Sequence, residues 1–446
     1  MSMNAIKQTH RSQEGSVLIG VACFLFLAVG LVLTILSLGS NHRKVSVEQV
    51  SMEQAMYVAE AGLERGARYM ESNVVTITSS SATNTYGSGT LGLGTYAFMI
   101  TRSNSSTYNL VSTGVVNGVQ RTVSLMRVYQ PTYAEFSLWS SNNASLYFKA
   151  GEVFNGHVHS DGQLYFDNSG GGPIFHSYLT SKASSYVGSI SDIEMDMGLT
   201  LNSSQGTMAD VDFNSSASDS LKSVATSSGL VLDGNTTITL NNGTLSIINY
   251  RKYGNNTAHS YTLPTTENIV YIKDSNTGTT STKAGTVYLT GGSVNGRLTI
   301  ATESDIHIQG NIRYASDPVA HPTSDDALGL ISRSDVWVDT SAPDNLVIDA
   351  AIMATGQATG VDGSFSVDNY DDHTSPVQGD RGLLIVYGGI VQLIRGPVGQ
   401  FNQSTGATTH GYSKNYSYDP RFINNPPPYY PTIKDQVRFS QWKEGH

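Results

Sequence analysis

Apolar residues dominate one early segment of the chain. Residues 17–38 contain no charged side chain. An α-helix rises about 1.5 Å per residue, so a segment of this length crosses a hydrocarbon core of roughly 30 Å. A cleaved secretory signal has a shorter apolar region, of about 7–15 residues. The pattern therefore predicts a transmembrane helix over residues 16–41, with the lipid bilayer as its surroundings.

The next segment, residues 42–75, is rich in Ala, Met, Glu and Arg, which are strong helix formers. Glu64 and Arg68 form a favourable i,i+4 pair. We expect a stalk helix here, continuous with the transmembrane helix. Basic residues flank the apolar segment on both sides, so charge alone does not decide the membrane orientation.

Alternation of apolar and polar residues begins after the stalk. Three alternating runs lie within residues 76–130 and are separated by Asn-, Ser- and Gly-rich turns. Asn117 and Gly118 both tolerate positive φ and are typical of a two-residue hairpin. We predict a small antiparallel sheet that packs against the stalk helix.

Beyond residue 130 the sequence consists of short β-type runs punctuated by Gly and Asn, with little helical pattern. Such runs are typical of stacked coils. Gly and Asn allow the left-handed backbone conformation at each sharp turn, and Val, Ile and Leu of successive coils stack in the interior. We predict a mainly β protein whose residues 131–446 form a large right-handed parallel β-helix-like domain; a rolled β domain is the second choice. An acidic, weakly apolar insertion is expected near residues 181–220.

Composition narrows the possible partners and cofactors. Charged residues are only 14% of the chain and the net charge is −10. No basic block is present, so nucleic acid is not expected as a partner. The single cysteine, Cys23, lies in the apolar segment, so neither an intramolecular disulfide nor a thiolate metal cluster is possible. We expect no cofactor.

Three segments of the N-terminal region stand out. They are a polar leader ending in Gly15, the start of the apolar helix at Ser16-Val17-Leu18-Ile19, and the later Ala59-Glu60-Ala61-Gly62-Leu63-Glu64. Together they resemble the N-terminal region of PilX-type minor pilins and the related GspK-type pseudopilins. The resemblance covers roughly the first 75 residues.

This resemblance implies a leader over residues 1–15 that a prepilin peptidase removes after Gly15, leaving a methylated Ser16 as the new N-terminus. It also implies other pilin or pseudopilin subunits and an inner-membrane assembly platform as partners. The helix would lie in the bilayer until it packs into the filament core through its first residues, which include Val17, Leu18, Ile19 and Gly20.

Two residues depart from the major-pilin pattern. Gly20 stands where major pilins carry Glu, and Glu14 stands where a basic residue is common. The Glu that major pilins carry at the position of Gly20 has a carboxylate that can pair with the N-terminal amine of a neighbouring subunit. Burying that amine without a partner is costly. A subunit that lacks it suits a filament tip better than a shaft. A plain signal anchor with a helical stalk is the alternative.

Three segments of the large domain carry a second, looser resemblance. They are Gly156-His157-Val158-His159-Ser160-Asp161-Gly162, Gly329-Leu330-Ile331-Ser332 and Tyr418-Asp419-Pro420-Arg421. They are similar to segments of uncharacterised bacterial β-helix domains attached to pilin-like N-termini. This resemblance supports the fold and implies no known activity.

Two groups of residues are weak candidates for metal binding. His157 and His159 lie two apart on one predicted strand, about 7 Å from each other on one face, which metal ligation permits. No third ligand is identifiable, and packed or solvated histidines are the simpler interpretation. Asp371 and Asp372 could bind Ca²⁺ or act as an acid/base pair, although acidic turns are common.

The sequence therefore predicts a minor pilin or pseudopilin-like protein of a type IV pilus or type II secretion-type filament, acting in assembly initiation at the tip, in adhesion, or in both. It would be a single-pass protein of the bacterial inner membrane, with its large domain in the periplasm or at the cell surface. No catalytic constellation is identified. The alternative is a membrane-anchored polysaccharide lyase or hydrolase, which a groove with convergent Asp, Lys and Arg would favour.

Overall fold

A computed structural model shows a long N-terminal helix, a small antiparallel sheet and a large domain of short parallel strands. The predicted mainly β fold with an N-terminal helix is confirmed. The structure describes residues 11–73, 84–103, 107–142, 145–167, 171–203, 205, 208, 211–263, 267–275, 284–358, 360–370, 379–402, 408–433 and 437–445.

The first helix, α1 (Arg11–Ser72), is continuous over 62 residues and contains no proline. It joins the predicted transmembrane and stalk segments, as expected from their helix-forming composition. Its first half contacts no other element, so the apolar side chains of residues 17–38 are exposed. Its second half buries Ala55, Val58, Ala59, Leu63 and Met70, which recur at the helical spacings i, i+3, i+4, i+8 and i+15 and therefore lie on one side of the helix.

That buried side packs on a 5-stranded antiparallel sheet. Its strands, in spatial order, are β1 (Asn84–Leu91), β2 (Gly94–Arg102), β3 (Thr107–Val116), β4 (Val119–Tyr129) and β31 (Arg438–Gly445). Asn117 and Gly118 have φ values of 50° and 81° and form the predicted tight turn between β3 and β4.

Helix and sheet approach each other closely at Gly114 on β3. A Cβ atom added there would lie 2.2 Å from the carbonyl oxygen of Ala55 and 2.4 Å from the amide nitrogen of Ala59. The two backbones are therefore nearly in contact, and only glycine fits. The apolar core beside this contact includes Leu63, Phe98 and Leu110.

The last strand, β31, lies outside the domain predicted for it. The sequence predicts that all of residues 131–446 belong to the large domain. β31 instead pairs with β4 and extends the small sheet. Entry to and exit from the large domain lie side by side: Thr132 bridges Thr432, and Ile433 N donates to Pro131 O at 2.8 Å. The large domain is thus inserted between β4 and β31, whose pairing satisfies the outer edge of β4.

The large domain begins with a short section of stacked coils. Each coil contributes one strand to each of three faces, and successive coils pair in parallel. Face A holds β5 (Phe136–Ser140), β8 (His157–Ser160), β11 (Leu179–Ser181) and β14 (Leu199–Thr200). Face B holds β6 (Leu146–Lys149), β9 (Leu164–Asp167) and β12 (Tyr186–Val187). Face C holds β7 (Val153–Phe154), β10 (Ile174–Phe175) and β13 (Glu194–Met195).

A longer section follows in sequence and has the same three-faced plan, with several strands bending from one face to the next. Its strands are β15 (Leu230–Asp233), β16 (Thr236–Asn241), β17 (Thr244–Ile248), β18 (His259–Thr262), β19 (Asn268–Lys273), β20 (Val287–Val294), β21 (Arg297–Thr302), β22 (Ile306–Ile308), β23 (Ile312–Tyr314), β24 (Ala327–Ser332), β25 (Val336–Val338), β26 (Val347–Ala354), β27 (Phe365–Val367), β28 (Asp380–Gln392), β29 (Gly399–Phe401) and β30 (Thr408–Ser417). Three of them depart from the parallel plan: β17 pairs antiparallel with β16, β18 pairs antiparallel with β17, and β29 pairs antiparallel with β30.

The two sections join out of sequence order. β28 of the long section pairs in parallel with β5 of the short section, with Ile390 opposite Leu138. The chain therefore enters the stack of coils at its middle, winds outward to β14, returns to the opposite end at β15, and winds back to the middle. The handedness of the coils stays a prediction.

Residues 201–229 connect β14 to β15. This connection lies a little later than the insertion predicted near residues 181–220, because residues 179–200 still form coils. Gln357 Nε2 donates to the carbonyl oxygens of Met208 and Val211 at 2.8 and 3.0 Å. The return ends in α2 (Leu221–Ser228), which Ser220 caps by accepting from Ser223 N. A second short helix, α3 (Tyr250–Tyr253), follows β17.

Buried polar side chains close the corners between faces. Ser332 Oγ accepts from Ser334 N at 3.0 Å, and Thr302 Oγ1 accepts from Ser304 N at 3.1 Å on the coil before. Asp335 Oδ1 accepts from Ser364 N of the next coil at 2.9 Å. These oxygens satisfy backbone donors that the sharp turns leave without a strand partner.

Asp335→Ala should therefore destabilise the large domain. It leaves the buried amide of Ser364 without its acceptor, which costs about 1–3 kcal/mol. Denaturant unfolding followed by tryptophan fluorescence would measure the loss. The exposed Asp362 is a matched control, and Asp362→Ala should change the free energy of unfolding by less than about 0.5 kcal/mol. Equal effects of the two variants would contradict the role of the corner carboxylate.

Candidate functional site

The exposed first half of α1 is the first candidate functional surface. Leu18 is 73% exposed and Phe26 is 81% exposed, and a Cβ atom at Gly20 would have no neighbour within 4 Å. This half is long and apolar enough to cross a membrane. A contiguous apolar surface of this size is stable only when lipid or another protein covers it.

The predicted processing residues lie inside the same helix. α1 begins at Arg11, so Gly15 and Ser16 are already helical and the proposed cleavage point is not marked by an end of the helix. Val17, Leu18 and Ile19 follow with exposed side chains. Processing after Gly15 stays a prediction.

His159 is fully buried on β8. Its Nδ1 lies 2.8 Å from Thr180 Oγ1 and its Nε2 lies 3.0 Å from Asp161 Oδ1, so both ring nitrogens have hydrogen-bond partners. Its ring packs against Trp139 with a centroid distance of 4.5 Å. This environment is that of a packed, hydrogen-bonded histidine.

His157, two residues earlier on the same strand, packs edge-on against Phe136 and Tyr178. Burial lowers the pKa of His157, and the nearby Arg438 lowers it further. The other metal candidates, Asp371 and Asp372, lie outside the described residues.

A different set of possible metal ligands lies on face C of the short section. His176, Glu194 and Asp196 are exposed, their ligand atoms all lie within 4.8 Å of one another, and His176 Nδ1 is 3.0 Å from Asp196 Oδ2. Sequence reasoning missed this group, because β10 and β13 belong to different coils and coil length varies along the chain. An imidazole with two carboxylates could hold a divalent cation.

One described cluster combines carboxylates and a guanidinium beside the coils. Arg421 Nη2 lies 2.6 Å from Asp419 Oδ2, Arg421 Nη1 donates to Ser324 O at 3.0 Å, and the guanidinium lies 4.9 Å from the Tyr314 ring centroid. Asp419 is fully buried. These contacts tie the C-terminal segment to the coils, so the pair is engaged within the fold.

Asp349 is buried beside this cluster, and its Oδ2 accepts from Tyr314 N at 2.9 Å. Burial raises the pKa of the Asp349 carboxyl, although that hydrogen bond and Arg313 oppose the shift. A raised pKa means that the folded state binds the proton more tightly than the unfolded state. The contribution of this carboxyl to stability is therefore largest at low pH and is lost as pH rises through its folded pKa.

Asp349→Asn removes the burial cost of the charge and keeps an oxygen that can accept from Tyr314 N. We expect the variant to be more stable than the wild type at pH 7, and the difference to shrink as pH falls towards about 4. Denaturant unfolding at several pH values would measure it. With the exposed control Asp362→Asn we expect little change at any pH; the same pH trend in both variants would contradict the assignment.

Comparisons with known proteins identify no family. No family model and no curated protein matches the chain. Among solved structures, the crystal structure of the competence-associated pilin ComZ from Thermus thermophilus is similar with a TM-score of 0.36 and 11% sequence identity. The match covers 89% of this chain and 97% of that chain. At that TM-score the likeness carries no argument about fold or function.

Proposed function

We propose that this protein is a pilin-like subunit, a minor pilin or pseudopilin of a type IV pilus or type II secretion-type filament. The observation that carries the proposal is the division of α1 into two halves. One half is apolar and exposed, and the other is packed on an antiparallel sheet through the close contact at Gly114. The exposed half of such a helix can lie in a bilayer and later pack among other helices, while the packed half and its antiparallel sheet stay unchanged.

The bilayer is the first environment for the exposed half of α1. Residues 17–38 contain no charge, and lipid removes their apolar side chains from water. In a filament, neighbouring helices would cover the same side chains. The proposed partners are therefore other pilin or pseudopilin subunits, an inner-membrane assembly platform and a prepilin peptidase.

A position at the filament tip suits this chain for two reasons. Gly20 supplies no carboxylate to pair with the N-terminal amine of a neighbour. The large domain, inserted between β4 and β31, adds bulk beside the small sheet, and a tip accommodates bulk that a closely packed shaft would exclude. Assembly initiation and adhesion are the roles proposed for such a subunit.

The proposed role is structural and not catalytic. In the part of the chain that the structure describes, Asp419 and Arg421 form an ion pair, and the Asp349 carboxylate accepts a hydrogen bond from the backbone amide of Tyr314. Carboxylates committed in this way hold the fold together and are poor candidates for acid/base chemistry on a polysaccharide.

Processing tests the proposal. The full-length chain should lose residues 1–15 when produced with a prepilin peptidase and should start at a methylated Ser16; intact mass and N-terminal sequencing measure both. Gly15→Val should block the cut, because the bulkier side chain replaces the residue before the cut, whereas the matched control Gly39→Val, on the same helix, should be cut normally. A leader retained in the wild type, with a known substrate cut in the same cells, would leave a plain signal anchor.

A further inference from the structure

Successive coils of the short section place two possible metal ligands side by side on face C. β10 and β13 pair in parallel, with Phe175 opposite Met195. The next residue on each chain is a possible ligand, His176 after β10 and Asp196 after β13. His176 N donates to Phe154 O at 2.9 Å, and Asp196 N donates to Phe175 O at 3.0 Å. Ladder hydrogen bonds therefore continue past both strands and fix the two backbones next to each other.

Glu194 adds a third ligand on the outer side of the same face. Side chains alternate along a strand, so Glu194 and Asp196, two residues apart, project in the same direction. Both are exposed, as is His176, whereas the intervening pattern turns Phe175 into the core. Two ligands at i and i+2 on one strand and a third on the neighbouring strand form a triangle, which can present all three to one ion.

The spacing of the ligand atoms fits a small transition-metal ion. His176 Nδ1 lies 3.0 Å from Asp196 Oδ2, and ligand atoms of all three residues lie within 4.8 Å of one another. Bonds from zinc to nitrogen and oxygen are about 2.0–2.2 Å long, which places neighbouring ligands of a tetrahedral ion roughly 3.3–3.6 Å apart. The exposed side chains need only small rotations to reach this geometry.

A surface hydrogen bond between His176 and Asp196 accounts for only two of the three side chains. Glu194 brings a second carboxylate towards the first, and two like charges at this separation repel each other. Within the described residues, neither carboxylate forms an ion pair with a Lys or Arg side chain. A divalent cation between the three groups would offset this repulsion and give each of them a partner.

We propose that His176, Glu194 and Asp196 bind a zinc ion, with water as the remaining ligand. The imidazole nitrogen favours zinc over Ca²⁺ and Mg²⁺, which take oxygen ligands. The ion ties β10 to β13, two strands of two residues each towards the outer end of the short section. It therefore stabilises coils that few ladder hydrogen bonds hold together. This site is independent of α1 and of the proposed filament role.

Isothermal titration calorimetry with zinc tests the proposal on the full-length protein in detergent, without an affinity tag and after treatment with a chelator. The wild type should show a zinc site that His176→Asn lacks, and Ca²⁺ should not occupy it. Glu194→Gln should weaken this site at least about tenfold, because even the loss of a residue that only orients a ligand typically costs that much. Glu194→Gln keeps the hydrogen bond between His176 and Asp196, so it distinguishes a metal site from a simple surface pair.

His307→Asn is the matched control. His307 Nδ1 lies 3.4 Å from Asp339 Oδ2, and among the described residues no second carboxylate completes that pair as a metal site. This variant should bind zinc like the wild type. Zinc should also raise the melting temperature of the large domain in the wild type and in His307→Asn, but not in His176→Asn. Unchanged zinc binding in His176→Asn or Glu194→Gln, or equal binding of Ca²⁺ at this site, would overturn the proposal.

Discussion

One column of apolar side chains on face A holds the large domain together. Its members lie opposite one another on successive strands and continue from the long section into the short section, where Ile390 lies opposite Leu138. The column consists of Leu230, Val270, Ile300, Leu330, Ile352, Ile390, Leu138, Val158, Leu179 and Leu199. Since strand spacing and side-chain alternation are fixed, the strands of the other faces must follow this column.

The same arrangement explains how the large domain is attached. Because the chain enters the coils at their middle, its entry at Thr132 and its exit at Thr432 lie next to each other. β31 then continues into the small sheet beside β4. Two adjacent chain segments, the entry at Thr132 and the exit at Thr432, therefore connect the large domain to the small sheet. Beside them, Arg438 forms an ion pair with the buried Glu135.

Local features of the sequence were sufficient to predict α1, the Asn117-Gly118 turn and the mainly β composition, because each depends on neighbouring residues. The order of the coils depends on contacts between residues far apart, such as Ile390 with Leu138, and coil length varies too much to reveal it. A partial signal was present: Thr302 and Ser332 each begin a corner that ends in a Ser-Asp pair. The exposed group around His176 left no signal, because its members come from different coils.

In the proposed assembly, α1 packs into a filament while the large domain stays outside the filament core. Immunogold electron microscopy with antibodies against the large domain, on cells of the producing bacterium, tests this claim most directly. Gold should label filament ends, and this labelling should be lost when Gly15→Val blocks processing. Gold spread over the cell surface and unchanged in that variant would contradict it, and the chain would then be a membrane-anchored β domain without a filament.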